Sequence, residues 1–124
     1  MKKNNYENII RKKTGLFIDP YFSATKIRWI LDNVKESKKL LKSNNLLFGT
    51  IDTFLIWKLT KGKRHLTEAT NASRTMLYNI NTNQWDKNIL KKLKIPHKIL
   101  PEVKNSADNF GTTNKKILSK FEKK

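Results

Sequence analysis

The sequence contains no cysteine. Disulfide bonds, thiolate metal sites and cysteine nucleophiles are therefore excluded. No run of residues approaches the roughly 18 apolar residues that a membrane-spanning helix needs. The lysines near the N-terminus are not followed by the apolar stretch of a secretory signal peptide. We therefore expect a cytoplasmic protein that has no membrane partner.

Glycine, histidine and acidic residues are also few. Without a GxxxxGK[ST] or GxGxxG pattern, the isolated glycines predict no backbone cradle for a triphosphate. Neither His65 nor His97 has a histidine or a carboxylate at the spacing of metal ligands. We therefore predict that both are solvated surface residues and that there is no metal site. The ten acidic residues are scattered singly and indicate no carboxylate pair. Serine, histidine and aspartate are all present, so the residue types alone do not exclude a Ser-His-Asp catalytic set. However, no serine is flanked by the glycines of a nucleophile elbow.

Basic residues dominate the charge, which is +17 for 124 residues. Such a balance is typical of proteins that bind nucleic acid or anionic membranes. However, 23 of the 27 basic residues are lysine, and 14 asparagines and 12 isoleucines accompany them. An AT-rich genome produces this composition at tolerant surface positions, and we favour that interpretation. We expect no specific nucleic-acid partner, because the aromatic residues lie mainly in apolar surroundings and are predicted to be core: Phe22, Trp29, Phe54, Trp57 and Tyr78.

The first half of the chain shows one polar segment and two helical patterns. Residues 1–13 are polar and basic apart from an isoleucine pair. Residues 23–42 are predicted to form one helix, capped by Ser23, with an apolar face formed by Ile27, Ile30, Leu31, Val34 and Leu41. Residues 51–59 are apolar almost all round, which predicts a buried helix that Thr50 or Asp52 caps and Gly62 ends.

The second half has weaker patterns. Residues 64–78 predict extended ends around a polar middle. Asp86 is predicted to cap a short helix that Pro96 ends, and Pro101 indicates a turn. That helix should direct Ile89, Leu90 and Leu93 inward. From Asn114 onward the chain is a lysine-rich tail with few residues to bury: Ile117, Leu118 and Phe121.

Several separate stretches resemble one family. YFSATKIRWILDN at residues 21–33 is similar to the first signature of the FGGY carbohydrate kinases. LLFGTIDTFLIWKLT at 46–60 and TNASRTMLYNI at 70–80 resemble the members that phosphorylate glycerol, as do DPYFS and IPHKILPEV. The resemblance covers residues 14–114. It leaves residues 1–13 as a basic N-terminal segment and residues 115–124 as a lysine-rich tail.

The resemblance implies an α/β fold, specifically part of an actin-like, ribonuclease H-like domain that is mostly helical in this stretch. It implies the N-terminal, substrate-binding domain of an enzyme that phosphorylates glycerol to sn-glycerol 3-phosphate with ATP and Mg²⁺. Tyr21 matches the family tyrosine that lines the glycerol site. A phenol suits that role because its hydroxyl can bond a polyol while its ring covers the carbon skeleton.

The other matching residues are expected to be structural. We expect Ser23, Lys26 and Trp29 to have a structural role as part of the scaffold. The polar groups of Asn71, Ser73 and Arg74 are expected to form hydrogen bonds that hold neighbouring backbone. The sequence departs from the family pattern at three positions, where Ala24 replaces glycine, Phe54 replaces tryptophan and Glu68 replaces aspartate.

Most of the family's catalytic residues have no counterpart in the matching stretch. In the family, the Arg-Glu pair and tryptophan of the glycerol site lie upstream, and the catalytic aspartate and the ATP- and Mg²⁺-binding residues lie downstream. We therefore expect the chain alone to be inactive, to expose apolar surface and to be marginally stable. Its expected partners are glycerol and either the remainder of a kinase or a second copy. The alternative is a basic nucleic-acid-binding or assembly fragment without enzymatic activity.

Overall fold

The computed structural model describes residues 3–119, which form a mixed α/β structure dominated by short helices. The helices are α1 (Lys3–Thr14), α2 (Ser23–Asn33), α3 (Lys35–Lys42), α4 (Ile51–Leu59), α5 (Ala69–Ser73), α6 (Lys87–Lys92) and α7 (Lys115–Leu118), with a 3₁₀ turn at His97–Ile99. The strands are β1 (Leu66–Glu68), β2 (Tyr78–Asn79), β3 (Gln84–Trp85) and β4 (Glu102–Lys104). No helix in this part of the chain is long and apolar enough to cross a membrane.

The strands pair in two small sheets. β1 and β4 are parallel, with Leu66 opposite Glu102. β2 and β3 form an antiparallel pair in which Tyr78 lies opposite Trp85. Parallel pairing requires a long crossover, which the chain from α5 to the 3₁₀ turn supplies. The polar middle predicted within residues 64–78 is α5. The strand β4 directly follows Pro101, where the sequence predicted only a turn.

The hydrophobic core lies between α1, α2, α6 and the β2–β3 pair. Trp85 is buried there, its ring meets Tyr78 edge-on at 5.8 Å, and its Nε1–H donates to the Pro101 carbonyl at 2.8 Å. Other core members are Ile10, Phe22, Ile27, Leu31, Leu77, Ile89, Leu90, Ile95 and Ile99. The core prediction is confirmed for Phe22 and Tyr78.

The core prediction is wrong for two other aromatic residues. Trp29 and Phe54 are exposed, and Trp57 is only half-buried. Trp29 is on a face of α2 that the rest of the described chain leaves uncovered, and Phe54 is on the uncovered face of α4. Apolar surroundings in sequence therefore did not correspond to apolar surroundings in space.

The helix α1 is attached to the core. Ile10 is fully buried, the Ile80 amide donates to the Lys13 carbonyl at 2.9 Å, and the Lys13 ammonium lies 2.9 Å from the Asp86 carboxylate. Asp86 is itself buried and also accepts from the Asn79 side chain at 2.9 Å. The described part of the basic N-terminal segment is thus helical and packed, with Lys12 exposed and Lys13 half-buried.

The single helix predicted for residues 23–42 is wrong, because the chain breaks at Val34. Val34 is extended, with φ −95° and ψ 108°. The Ser37 hydroxyl donates to the carbonyls of Ile30 and Val34, at 3.0 and 2.7 Å. The predicted cap is also wrong, since Ser23 is the first helical residue and Phe22 is the N-cap. The break leaves Ile30 and Val34 exposed, whereas Ile27 and Leu31 are buried.

The helix α4 has the predicted bounds but not the predicted burial. It begins after Thr50, and Gly62 ends it with a φ of +75° and an amide that donates to the Trp57 carbonyl at 2.8 Å. Thr53 and the C-terminal Thr60 are buried. Most of the apolar residues of α4 are exposed in the described chain, so the prediction of a buried helix is wrong for the described residues.

The helix α6 is capped as predicted. The Asp86 carboxylate accepts from the amides of Asn88 and Ile89 at 3.0 and 2.9 Å. Its end was predicted wrongly, because the helix stops at Lys92, ahead of Lys94, which has a φ of +50°. Ile89 is buried as predicted, as is Leu90, whereas Leu93 is only partly buried.

The described part of the predicted tail contains a further short helix. Asn114 caps α7 by accepting from the Lys116 amide at 3.1 Å. Ile117 is half-buried and Leu118 is exposed, so the expectation that both are buried is met only in part. Phe121, the third residue expected to be buried, lies outside the described residues.

Candidate functional site

The segment that precedes α2 is held by a turn at Asp19. The Asp19 carboxylate accepts from the Tyr21 amide at 2.7 Å, and the Asp19 carbonyl accepts from the Phe22 amide at 3.3 Å. An aspartate followed by proline favours this turn because the side chain replaces a backbone acceptor and the ring fixes φ. The turn places Tyr21 just outside the first turn of α2.

The side chain of Tyr21 is 72% exposed. Its ring meets the ring of Phe22 edge-on, with centroids 5.4 Å apart and planes at 83°. The Lys26 ammonium lies 5.6 Å from the centroid of the Tyr21 ring, within cation–π distance. The phenol is therefore oriented by two neighbours while most of its surface faces solvent.

The backbone around Tyr21 is anchored to the core on its other side. Phe22 is buried, and the Arg74 guanidinium lies 5.3 Å from its ring centroid. The amide of Ala24, which is completely buried, donates to the Thr75 carbonyl at 3.0 Å. The buried Thr75 hydroxyl in turn donates to the Ala72 carbonyl at 2.7 Å. Tyr21 thus projects from a rigid base rather than from a free loop.

The residues expected to be scaffold have different roles. Three polar residues were expected to bond neighbouring backbone groups. Ser73 does so, because its hydroxyl donates to the Thr70 carbonyl at 2.7 Å. The Asn71 side chain instead donates to the Glu68 carboxylate at 2.7 Å, and Arg74 contacts the Phe22 ring. Lys26 orients the Tyr21 ring, whereas Trp29 is exposed.

Glu68 is the N-cap of α5 and was not predicted to have a role. Its carboxylate accepts from the amides of Thr70 and Asn71 at 2.9 and 2.5 Å, and from the Ser106 hydroxyl at 2.7 Å. Burial alone would raise the pKa of Glu68, but hydrogen bonds from Thr70, Ser106 and the two amides outweigh it and lower the pKa to about 2. The signal in the sequence was an acid immediately before Ala69-Thr70-Asn71, a typical N-cap position.

The two histidines have different environments. His97 is exposed, as predicted. His65 is half-buried: its Nε2 lies 2.7 Å from the Phe48 carbonyl, and its ring is edge-on to Trp57 at 6.0 Å. The prediction of a solvated His65 is therefore wrong, because the chain from α4 to β1 folds the ring against Trp57.

The described residues do not fit a magnesium–triphosphate site. Within residues 3–119, no group of three or more histidine and acidic side chains could hold a metal ion. The more buried carboxylates are already bonded: Asp86 to Lys13 and Asn79, and Asp52 to Thr50 and Thr67. We therefore derive no step of phosphoryl transfer from these residues.

Comparison with known proteins gives a consistent result. The N-terminal domain of the FGGY family of carbohydrate kinases matches residues 1–122. The chain is 62% identical over 117 residues to a glycerol kinase of Malacoplasma penetrans, covering 94% of this chain and 23% of that protein. It is 59% identical over 113 residues to a glycerol kinase of Lactobacillus acidophilus, covering 91% of this chain and 23% of that protein.

Solved structures agree with the sequence matches. The crystal structure of Plasmodium falciparum glycerol kinase with ADP matches at a TM-score of 0.87 and 40% identity, over 97% of this chain and 24% of that one. A gluconate kinase from Lactobacillus acidophilus matches at a TM-score of 0.79 and 26% identity, over 98% of this chain and 23% of that one. The chain thus spans about a quarter of the length of these proteins. The predicted partial actin-like fold is confirmed, and the chain belongs to the FGGY family of carbohydrate kinases, within their N-terminal domain.

Proposed function

We propose that this chain supplies a glycerol-contacting part of a kinase that phosphorylates glycerol to sn-glycerol 3-phosphate. The observation that carries the proposal is Tyr21, an exposed phenol on a backbone that the Asp19 turn and the buried Phe22 and Ala24 hold in place. The identity of 59–62% with two glycerol kinases supports glycerol as the substrate rather than another polyol.

The geometry at Tyr21 suits a small polyol. The phenol can donate one hydrogen bond and accept another, and its ring can cover a short carbon chain. Because the Asp19 turn restricts the backbone of Tyr21 and the Phe22 and Lys26 contacts restrict its ring, less conformational entropy is lost when a ligand binds. In this proposal Tyr21 orients glycerol and takes no part in proton transfer.

The phosphoryl donor in this proposal is ATP, accompanied by Mg²⁺. Such transfers depend on positioning and on neutralising the charge of the phosphates. The described residues contribute to positioning the acceptor alone, because their acidic side chains are single or already bonded.

A chimera tests the role of Tyr21. In it, this chain replaces the matching 117-residue segment of the Malacoplasma penetrans glycerol kinase. We expect the chimera to phosphorylate glycerol, and Tyr21→Phe to raise KM for glycerol about fivefold with a smaller effect on kcat, since one hydrogen bond contributes about 1 kcal/mol. Tyr6→Phe is the matched control, because the buried Tyr6 hydroxyl has no hydrogen-bond partner among residues 3–119. An unchanged KM in Tyr21→Phe would contradict the proposal.

The 124-residue chain by itself is expected to be inactive, because its described residues do not form a site for magnesium and triphosphate. The measurement is a coupled assay for ADP release with purified chain, ATP, Mg²⁺ and glycerol. The active chimera serves as the positive control. Glycerol-dependent ADP release by the chain alone would overturn this expectation.

A further inference from the structure

Two cations and two aromatic rings form a row around Tyr21, which we name the Tyr21 row: Arg74, Phe22, Tyr21 and Lys26. The Arg74 guanidinium lies 5.3 Å from the centroid of the Phe22 ring, and the Phe22 ring meets the Tyr21 ring edge-on at 5.4 Å. The Lys26 ammonium lies 5.6 Å from the centroid of the Tyr21 ring. A cation within about 6 Å of a ring centroid is attracted by the ring, and edge-on ring pairs also attract. Every contact along the row is therefore attractive.

The position of Lys26 is unfavourable for α2 taken alone. Lys26 lies in the first turn of this helix, where the positive end of the helix dipole repels a cation. No ion pair joins Lys26 to a carboxylate within residues 3–119. The contact with the Tyr21 ring compensates for this placement. We therefore associate Lys26 with Tyr21 rather than with the stability of α2.

Arg74 reaches the row from a distant part of the chain. It is the C-terminal cap of α5, and the described chain gives its guanidinium no carboxylate partner. The next residue, Thr75, supplies the carbonyl that accepts from the Ala24 amide at 3.0 Å. Two adjacent residues thus fix both supports of Tyr21, namely the Phe22 ring and the first turn of α2.

We infer that Arg74 and Lys26 are positioning residues for glycerol, because they hold the Tyr21 phenol in the orientation in which it bonds the substrate. The inference rests on the proposed function, in which Tyr21 contacts glycerol. Arg74 acts through the Phe22 ring, and Lys26 acts on the Tyr21 ring directly. Neither side chain has to touch glycerol for its removal to weaken substrate binding.

The exposure of Tyr21 makes these contacts important. Because 72% of the residue is uncovered, packing alone does not enclose the ring. A freely rotating phenol would lose conformational freedom when it binds glycerol, and that loss weakens binding. Contacts that hold the ring before the ligand arrives remove part of the loss. Each contact should therefore change the affinity for glycerol by a small factor.

The test measures KM and kcat for glycerol in the chimera after each cation is removed. We expect Arg74→Met and Lys26→Met each to raise KM about two- to threefold with little change in kcat, as for the weaker exposed cation–π contacts. Arg74→Lys keeps the charge and should recover most of the affinity. In a Tyr21→Ala background both substitutions should have no further effect on KM, because the ring that the cations hold is absent.

Lys92→Met is the matched control. It removes a similar contact, in which the Lys92 ammonium lies 5.8 Å from the centroid of the Tyr6 ring. We expect it to leave the glycerol KM unchanged. Circular dichroism checks the folding of every variant, and Arg74→Gln takes the place of Arg74→Met if that variant fails to fold.

A second measurement follows the Tyr21 ring without glycerol. The chimera is labelled with 3-fluorotyrosine, and the fluorine resonance that disappears in Tyr21→Phe is assigned to Tyr21. Arg74→Met and Lys26→Met should each shift this resonance, whereas Lys92→Met should not.

An unchanged KM in the Arg74 and Lys26 variants would overturn the inference, as would an unshifted Tyr21 resonance. Equal increases in KM with and without the Tyr21 ring would also overturn it, because they indicate a general structural effect. If Tyr21→Phe raises KM and the two cation variants do not, only this inference fails. If Tyr21→Phe leaves KM unchanged, the proposed function fails, so the two failures are distinguishable.

Discussion

Five hydrogen bonds converge on the carboxylate of Glu68, from Thr70, Asn71 and Ser106. The carboxylate satisfies the first amides of α5 and connects that helix to the loop after β4. Because each bond is made to the charged form of the side chain, protonation weakens all of them together. This single residue therefore makes the junction between α5 and that loop sensitive to acid.

The pKa of Glu68 predicts how stability changes with pH. Since folding lowers the pKa from 4.5 to about 2, the stabilisation is complete above pH 4.5 and is lost as the pH falls toward 2. After allowance for partial solvent exposure, we expect about 1–2 kcal/mol from this group. Urea unfolding between pH 6 and pH 3 should show that Glu68→Gln is less stable than the unsubstituted chain at pH 6, and that the difference becomes smaller at pH 3.

The control for this experiment is Glu102→Gln. Glu102 is exposed and pairs with Lys104 at 3.0 Å, a surface ion pair that contributes about 0–1 kcal/mol. Equal effects of the two substitutions at pH 6 would contradict the role assigned to Glu68.

At the scale of elements, the junction between α2 and α3 depends on Ser37. Its buried hydroxyl donates to two carbonyls, those of Ile30 and Val34, which also accept from the amides of Val34 and Ser37 at the break in the helix. We expect Ser37→Ala to lower the free energy of unfolding by about 1 kcal/mol, measured by urea denaturation at neutral pH. Ser43→Ala is the comparison, since the Ser43 hydroxyl is exposed, where water can replace its bonds to the Leu40 carbonyl and the Asn45 side chain. A smaller loss at Ser37 than at Ser43 would be inconsistent with this role.

Some helices and strands could be predicted from the sequence and others could not, and the difference has physical reasons. The bounds of α4 were predictable because a threonine and a glycine delimit it. The break at Val34 was not, because the apolar spacing continues through the residue whose backbone is extended. The strand β4 has three residues, and its pairing with β1 depends on contacts between distant parts of the chain.

The same distinction applies to the candidate site. The family signature identified Tyr21, and the turn that holds it was predictable from Asp19-Pro20. The anchoring of Ala24 on Thr75 joins segments fifty residues apart, so no local pattern could reveal it. The half-burial of His65 likewise depends on Phe48 and Trp57, which approach it only in the folded chain.

At the scale of the whole molecule, net charge opposes compactness. A chain of +17 repels itself, and the repulsion between exposed charges is screened within about 10 Å at 0.1 M salt. We therefore expect the Tm to rise by several degrees when sodium chloride increases from about 0.02 to 0.3 M. Differential scanning fluorimetry at neutral pH measures this shift.

A charge-reversed variant provides the control. Substitution of Lys35, Lys39 and Lys42 by glutamate changes three exposed positions of α3 and lowers the net charge from +17 to +11. The dependence of Tm on salt should become shallower. A dependence as steep as before would show that the total charge does not limit stability.

The three tryptophans have three different environments. Trp29 is 62% exposed, Trp57 is half-buried in a groove beside α4, and Trp85 is 7% exposed with its indole N–H bonded to Pro101. Indole emission shifts to shorter wavelength as its surroundings become less polar, and iodide quenches only the rings it can reach. The chain therefore carries one fluorescent reporter for each environment. Trp29 reports on the solvent-exposed surface, Trp85 on the intact core, and Trp57 on occupation of the groove beside α4.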